Sequence, residues 1–279
     1  MNYLPMHHHF QDYISSHGNL IQFVFFICLF IISWNIENIH GALFKYKKWK
    51  HASINGSFIF TNFPGMLLLG LAFVEVIKWT TIHRFGLLYF FNLDKYPFLL
   101  FLSTFFLLDL GEYIYHILMH KIATLWRFHI VHHSDNTVDI STTLREHPGE
   151  NIVRLSFTLL WVFLSGAFFW ALLLRQIIQV FTTMFAHINY RLPEKIDNIL
   201  GFVFITPNLH QVHHHYQRPF TDSNYGDVLS IWDRIFGTFK KLPAKDLIFG
   251  LDIQMEKEEN EKFKSLIQIP FEKLNIKVP

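Results

Sequence analysis

Residues 97–120 read PFLLFLSTFFLLDLGEYIYHILMH, a run that opens fully apolar and closes on two histidines four positions apart. The uncharged part, Tyr96 to Leu108, is only 13 residues, too short to cross a bilayer alone. The helical pattern continues to His120, however. A helix from Pro97 would run roughly 36 Å at about 1.5 Å per residue, enough to cross the hydrocarbon and project beyond it. The stretch predicts a spanning helix that carries polar chemistry at one end.

The rest of the chain agrees with a bilayer setting. Its 279 residues are 51% hydrophobic, include 32 Phe and have a positive mean hydropathy, outside the usual range for a soluble domain. Leu20 to Trp34 lacks charge. It lies too far from the amino terminus, and lacks the basic start and small-residue cleavage site, to be a secretory signal, so it reads as a retained first span. Ala52 to Val74 is uncharged and interrupted by Pro64 and Gly65, a break that membranes tolerate where neighbours satisfy the freed backbone. Leu155 to Leu174 is uncharged, and Gln176 to Ala186 follows after Arg175. From Asn151 to His187 is about 54 Å if wholly helical, close to a crossing and a return, with the turn at Gly166 or near Arg175. The charge of Arg175 favours placing that turn toward the far surface. The expected fold is all-α, an integral membrane bundle of about four to five spanning or hairpin helices with a histidine-rich, metal-binding cytoplasmic cap.

Orientation follows from KYKKWK, Lys45 to Lys50, directly after the first span, which predicts a cytoplasmic loop and an outward amino terminus. Lys78 and Arg84 on the opposite loop work against that bias. Counting spans, the histidine end of Pro97–His120 is then cytoplasmic. The single cysteine, Cys28, allows no internal disulfide, and a scattered net charge of +2 excludes the basic stripe of a nucleic-acid binder.

Eleven of the 18 histidines fall between His116 and His215. His116 and His120 share one helical face. His129, His132 and His133 sit at i, i+3 and i+4, and His210, His213 and His214 repeat that spacing, with His215 beside them. Neutral imidazole is the commonest protein ligand for transition metals, and eight such residues exceed what one tetrahedral zinc uses, so two metals are the natural count. The competing reading is a set of histidines hydrogen-bonded near a membrane surface. His7, His8 and His9 form a contiguous terminal run and read as non-functional. Asp109 and Glu112 share a helical face with His116 and His120. They read either as carboxylates accepting the second ring N–H of ligating histidines or as residents of the interfacial region.

The stretches DLGEYIYHILMH, LWRFHIVHHSD, TTLREHPGE, FAHINYRLP, TPNLHQVHHH and DSNYGDVLSIWDRIFGTF, running from about Asp109 to Phe239, resemble successive signatures of the fatty acid hydroxylase and sterol desaturase superfamily. The resemblance implies a membrane enzyme with a histidine-rich di-iron centre at its cytoplasmic face, using dioxygen and electrons to oxidise an unactivated C–H bond of a lipid. It assigns His116 and His120 to the first box, His129, His132 and His133 to the second, and His210, His213 and His214 to the third. His187 matches a further ligand between the second and third boxes. His147 matches a recurrent histidine of the sterol-type branch, either a ligand or a support for one; His215 has no clear counterpart. Where some relatives carry another histidine, four residues after His187, this chain has Arg191.

An apolar channel among the spans is expected to lead lipid to the metals. Asp222, Asp227 and Asp233 are candidates to orient histidines near the third box, with capping and surface roles equally open. Residues 1–95 supply the first spans, 96–239 the catalytic region and 240–279 a polar tail on the cytoplasmic surface, all within one domain. That tail lacks the features of a fused haem or flavin domain, so a separate electron-donor protein is the expected partner alongside membrane and lipid. Two alternatives stay open. A zinc-dependent membrane hydrolase lacks support because HExxH is absent. A metal-transport or purely metal-binding membrane protein is expected to line a path through the spans, whereas these histidines gather at helix ends. The lipid substrate, and hydroxylation against desaturation, stay undetermined at this level.

Overall fold

The computed structural model describes residues 4–40, 46–252 and 257–272. Lys45 of the basic cluster and the side chains of His7, His8 and His9 lie outside the described residues. Helices account for the regular structure, and no strand forms among the described residues beyond two isolated bridges, Phe204 with Leu229 and His215 with Phe249. Five helices build the bundle: α1 (Leu4–His40), α2 (Lys48–His83), α4 (Pro97–Lys121), α6 (Pro148–Ser165) and α7 (Phe169–His187); the short α3 (Leu87–Phe90) links α2 toward α4. Four apolar segments are long enough to span: Ser16–Ile39, Lys48–Phe90, Pro97–Lys121 and Phe169–His187. The chain is an integral membrane protein.

α4 is the central strut. It packs on α6 and α7, while α1 lies outside α7 and α2 outside α6. Its buried positions Leu100, Thr104, Phe105, Leu108, Asp109, Glu112 and Tyr115 recur at helical spacing, so one stripe faces the bundle. Phe98, Leu99 and Phe106 point outward and are exposed, as a lipid-facing surface requires.

Two sequence expectations are corrected. Pro64 and Gly65 do not break the second span: α2 runs through them to His83. The α6–α7 turn lies at Gly166, not at Arg175. Gly166 adopts φ +68° against Gly86 at φ +116°, and a Cβ on either would fall 2.3 Å from backbone atoms at the other turn. Only glycine permits that backbone-to-backbone approach. Arg175 is buried within α7, where its guanidinium pairs with Asp227 at 3.1 Å and donates to Gln179.

At the opposite end of the bundle α5 (Ala123–His133), α8 (Glu194–Leu200), α9 (Pro207–His213) and α10 (Ile231–Ile235) form the cap. The C-terminal segment packs against it. α11 (Lys257–Asn260) and α12 (Phe263–Gln268) follow, and Leu251, Leu266 and Ile269 join Phe58, Trp126, Ile130 and Val131 in one buried cluster. Arg127 Nε donates to the Pro270 carbonyl at 2.5 Å.

Candidate metal centre

Nine histidines converge at the cap end of the bundle, in two groups. His116, His120, His129, His133 and His213 form one; His132, His187, His210 and His214 form the other. Within each, one ligand atom per residue lies within 4.8 Å of all the rest. The grouping cuts across the sequence boxes. From α5, the i, i+4 pair His129 and His133 joins the first group and the i+3 residue His132 the second. From α9 the assignment reverses: His210 and His214 join the second group and His213 the first. Each group thus combines a pair from one box with a single residue from the other. α4 completes the first with His116 and His120, and α7 the second with His187.

The outer ring nitrogens are held by acceptors. His116 Nδ1–H donates to the Tyr225 carbonyl (2.9 Å), His132 to that of Arg145 (3.2 Å), His187 to that of Thr183 (2.8 Å) and His213 to that of Ser223 (2.7 Å). His129 donates to Glu150 at 2.6 Å and His120 to Asp222 at 3.3 Å. Such bonds fix the tautomer and leave Nε2 with its lone pair free. Nε2 atoms face one another: 3.2 Å for His116–His129, 3.2 Å for His132–His187, 3.0 Å for His187–His210 and 3.2 Å for His210–His214. In the pairs His116–His129 and His132–His187, whose Nδ1 atoms are all held by acceptors, two lone pairs meet and repel at that range unless a cation lies between them. Around an ion with bonds near 2.1 Å, neighbouring ligands stand about 3.0 Å apart in octahedral and about 3.4 Å in tetrahedral geometry. His120 Nε2, His213 Nε2 and both nitrogens of His133 are buried without a hydrogen-bond partner, a cost that metal coordination removes for one nitrogen of each ring. Burial pushes His132, His133, His210 and His214 well below the ordinary histidine range, reinforced by their neighbours, and brings His213 to about 3. These rings are neutral at pH 7, the form that binds metal. The donor set fits two ions.

The remaining candidates lie elsewhere. His147 caps α6, its Nδ1 accepting from Gly149 N (3.0 Å) and its Nε2–H donating to the Ile267 carbonyl (3.2 Å), so both nitrogens are occupied outside either group. His215 Nδ1 accepts from Ile248 N at 3.1 Å and also stands apart. Asp109 does not touch a histidine. It accepts from Val228 N, Leu229 N and Trp232 Nε1 (3.0, 3.3 and 2.8 Å), pinning the loop that follows Tyr225. Glu112 accepts from Thr158 at 3.0 Å. Of the three aspartates, Asp222 meets a histidine directly, Asp227 pairs with Arg175, and Asp233 accepts from Tyr225 N and Gly226 N (2.7 and 2.9 Å), holding the carbonyl that receives His116. Burial raises Asp233 to about 6. Arg191 donates to the Leu242 carbonyl at 3.2 Å, leaving the His187 group with four histidines against five. Glu150, the carboxylate closest to any of the nine histidines, was not singled out from sequence. Its signal was the REHPGE turn, which starts α6 with His147 as cap and Pro148 first, and so aims the first-turn acid at α5.

A pocket of about 80 Å³ opens on His116, His129, His132, His187 and His210. It shares Glu112, Thr143, Arg154 and Thr183 with a cavity of about 730 Å³ among α1, α2, α6 and α7, whose wall includes Met66, Leu71, Val74 and Leu172.

Fold and site together define a membrane-embedded helical bundle with two adjacent all-histidine clusters, each able to hold a metal ion. Residues 101–238 match the model of the fatty acid hydroxylase family. The chain is 32% identical over 158 residues to human alkylglycerol monooxygenase, covering 53% of this chain and 32% of that protein. It is 31% identical over 135 residues to an ornithine lipid hydroxylase of Rhizobium tropici (48% and 40%) and 30% over 138 residues to cholesterol 25-hydroxylase-like protein 1, member 2, of Danio rerio (47% of each). The matched stretch thus spans less than half the length of these relatives. No solved structure matches the chain.

Proposed function

We propose that the nine histidines hold two iron ions and that the protein hydroxylates a membrane lipid at an unactivated C–H bond, using dioxygen. The observation that carries this reading is the convergence of nine histidines in two adjacent groups beside an apolar cavity. Iron bound there would supply dioxygen activation and C–H oxidation. The residues do the rest. Glu150 and Asp222 orient His129 and His120; the Arg145, Thr183, Ser223 and Tyr225 carbonyls hold four more rings. The large cavity is sized for a lipid chain, and Glu112, Thr143, Arg154 and Thr183 form the neck through which it reaches the histidines. Hydroxylation is favoured over desaturation because the relatives are named as hydroxylases and monooxygenases. A zinc hydrolase finds no nucleophile or HExxH in the site.

Further parts of the proposal concern the setting. The site lies on the cytoplasmic face, supported by Lys47, Lys48 and Lys50 at the histidine end of α2. The proposed hydroxylation consumes two electrons, and a separate donor protein is proposed to supply them. The docking of 257–272 on α5 supports a single domain. The test is growth of cells expressing the protein or its His213→Ala variant under isotope-labelled dioxygen, followed by lipid mass spectrometry. One labelled oxygen in a lipid only with the intact protein is expected. An unlabelled lipid with a new double bond would replace hydroxylation by desaturation, and identical lipids in both strains would refute oxygenation.

A further inference from the structure

Between α7 and α10 the cap carries six apolar side chains with no protein over them: Ile196, Ile199, Phe202, Phe204, Ile235 and Phe236, each between 46 and 74% exposed. Such a patch on a domain in water is costly. Its depth in the fold resolves the difficulty. Phe105 of α4 packs with Val228 and Leu229, and around them with Val203, Ile231, Trp232 and Ile178 of α7. Phe105 lies roughly 16 Å along α4 from His116, and Ile178 roughly 13 Å along α7 from His187, both toward the bundle's middle. Asp109 ties the same loop to α4, and Phe236 stacks on Tyr113 with centroids 5.4 Å apart. The segment therefore runs beside the spans, level with their interior.

The backbone is organised for such a place. Irregular chain at membrane depth must have its polar groups paired within the protein. Ile205 N donates to the Val228 carbonyl (2.9 Å) and Ser230 N to that of Val203 (2.9 Å); Val203 N and Phe204 N both return to Leu200. Arg234, itself exposed, donates to the Gly201 and Phe202 carbonyls (2.9 and 3.3 Å) and lies 3.8 Å over the Phe239 ring, so its guanidinium satisfies carbonyls of the element and stacks on an aromatic face. α8 keeps exposed Glu194, Lys195 and Asn198 beside its apolar Ile196 and Ile199, and Lys241 reaches Asp197 at 3.6 Å, as an element that meets headgroups on one side requires.

We propose that residues 194–206 and 228–236 form a re-entrant element seated among the lipid acyl chains beside α4 and α7, with the bilayer itself as its partner. This element leads directly into α9, so lipid contact fixes the position of His210, His213 and His214. The inference rests on the membrane setting of the helices and is independent of the proposed chemistry.

The test uses the full chain with Cys28→Ser, so that an introduced cysteine is the sole label site. Phe202→Cys, Ile199→Cys and Phe236→Cys each receive an environment-sensitive fluorophore, with Lys245→Cys as a water-exposed reference. The proteins are reconstituted in phosphatidylcholine vesicles with and without nitroxide-bearing acyl chains. Severalfold stronger quenching at the three patch positions than at Lys245, with protection of the unlabelled thiols from a charged maleimide, is expected. Patch positions that are unquenched and as reactive as Lys245 would overturn the proposal. So would protection without quenching accompanied by cross-linking between copies, which would identify a second copy of the chain as the cover. Retained metal content per chain reports that each variant is folded, and three positions on two elements keep the test alive if one is not.

Discussion

His132 and His133 are adjacent in sequence but belong to different groups, whereas His129 and His133 belong to the same one. This allows a discriminating perturbation: the double variant His129→Ala/His133→Ala against His132→Ala/His133→Ala. A four-ligand metal site in a small protein is worth about 10–16 kcal/mol, or about 3 kcal/mol per ligand. At about 1.4 kcal/mol per decade, each lost imidazole weakens its ion roughly 100-fold. The first pair removes two of five ligands from one ion, some 10⁴-fold, and spares the four-histidine group. The second pair removes one ligand from each group, leaving four and three, and weakens both ions roughly 100-fold. Equilibration against a graded chelator, followed by metal analysis by mass spectrometry, reads this directly. The same-group pair should lose one ion at low chelator and keep the other at wild-type affinity; the adjacent pair should lose both at intermediate chelator. If the adjacent pair keeps one ion at wild-type affinity, or the same-group pair loses both together, the two-group assignment is wrong.

Glu150→Ala should lower affinity for one ion about 10- to 100-fold while sparing the other, because the 2.6 Å bond to His129 orients a ligand of the first group; the chelator titration measures it. His147→Ala should leave both ions bound and cost about 1 kcal/mol of stability as a lost helix cap, read by thermal unfolding in detergent; loss of an ion would make it a ligand instead. Val74→Trp, placed in the wall of the 730 Å³ cavity, should leave metal content unchanged and reduce lipid product several-fold, whereas unchanged product would place the substrate path elsewhere. Removing both ions with a strong chelator should make α5 and α9 the first helices to lose amide protection in hydrogen exchange, since these short helices supply six of the nine clustered histidines, whose buried nitrogens would then lack a partner. Equal exchange with and without metal would refute that.

Much of this was written in local pattern. Uncharged runs of membrane length announce spans, because the cost of placing charge or unpaired backbone in hydrocarbon is paid residue by residue. The histidine spacings at i, i+3 and i+4 name a metal site because helical geometry alone puts those rings on one side, and all nine residues named from sequence are the nine that converge. The breaks were less legible. Pro64 reads as an interruption, yet α2 absorbs it, since a proline removes one hydrogen bond and the surrounding helix persists. Arg175 reads as a surface charge, yet Asp227, 52 residues away, lets it lie inside. What only the tertiary structure decided is which histidine joins which group. A helix places His129, His132 and His133 in one stripe little more than one turn long, and the stripe divides only because His116 and His120 of α4 meet one part of it and His187 of α7 the other, with α9 supplying histidines to both. Likewise Glu150 and Asp109 are both buried acids, but one orients a ligand and the other holds a loop. That difference is a matter of which chain segment lies within 3 Å, and partners remote in sequence set it.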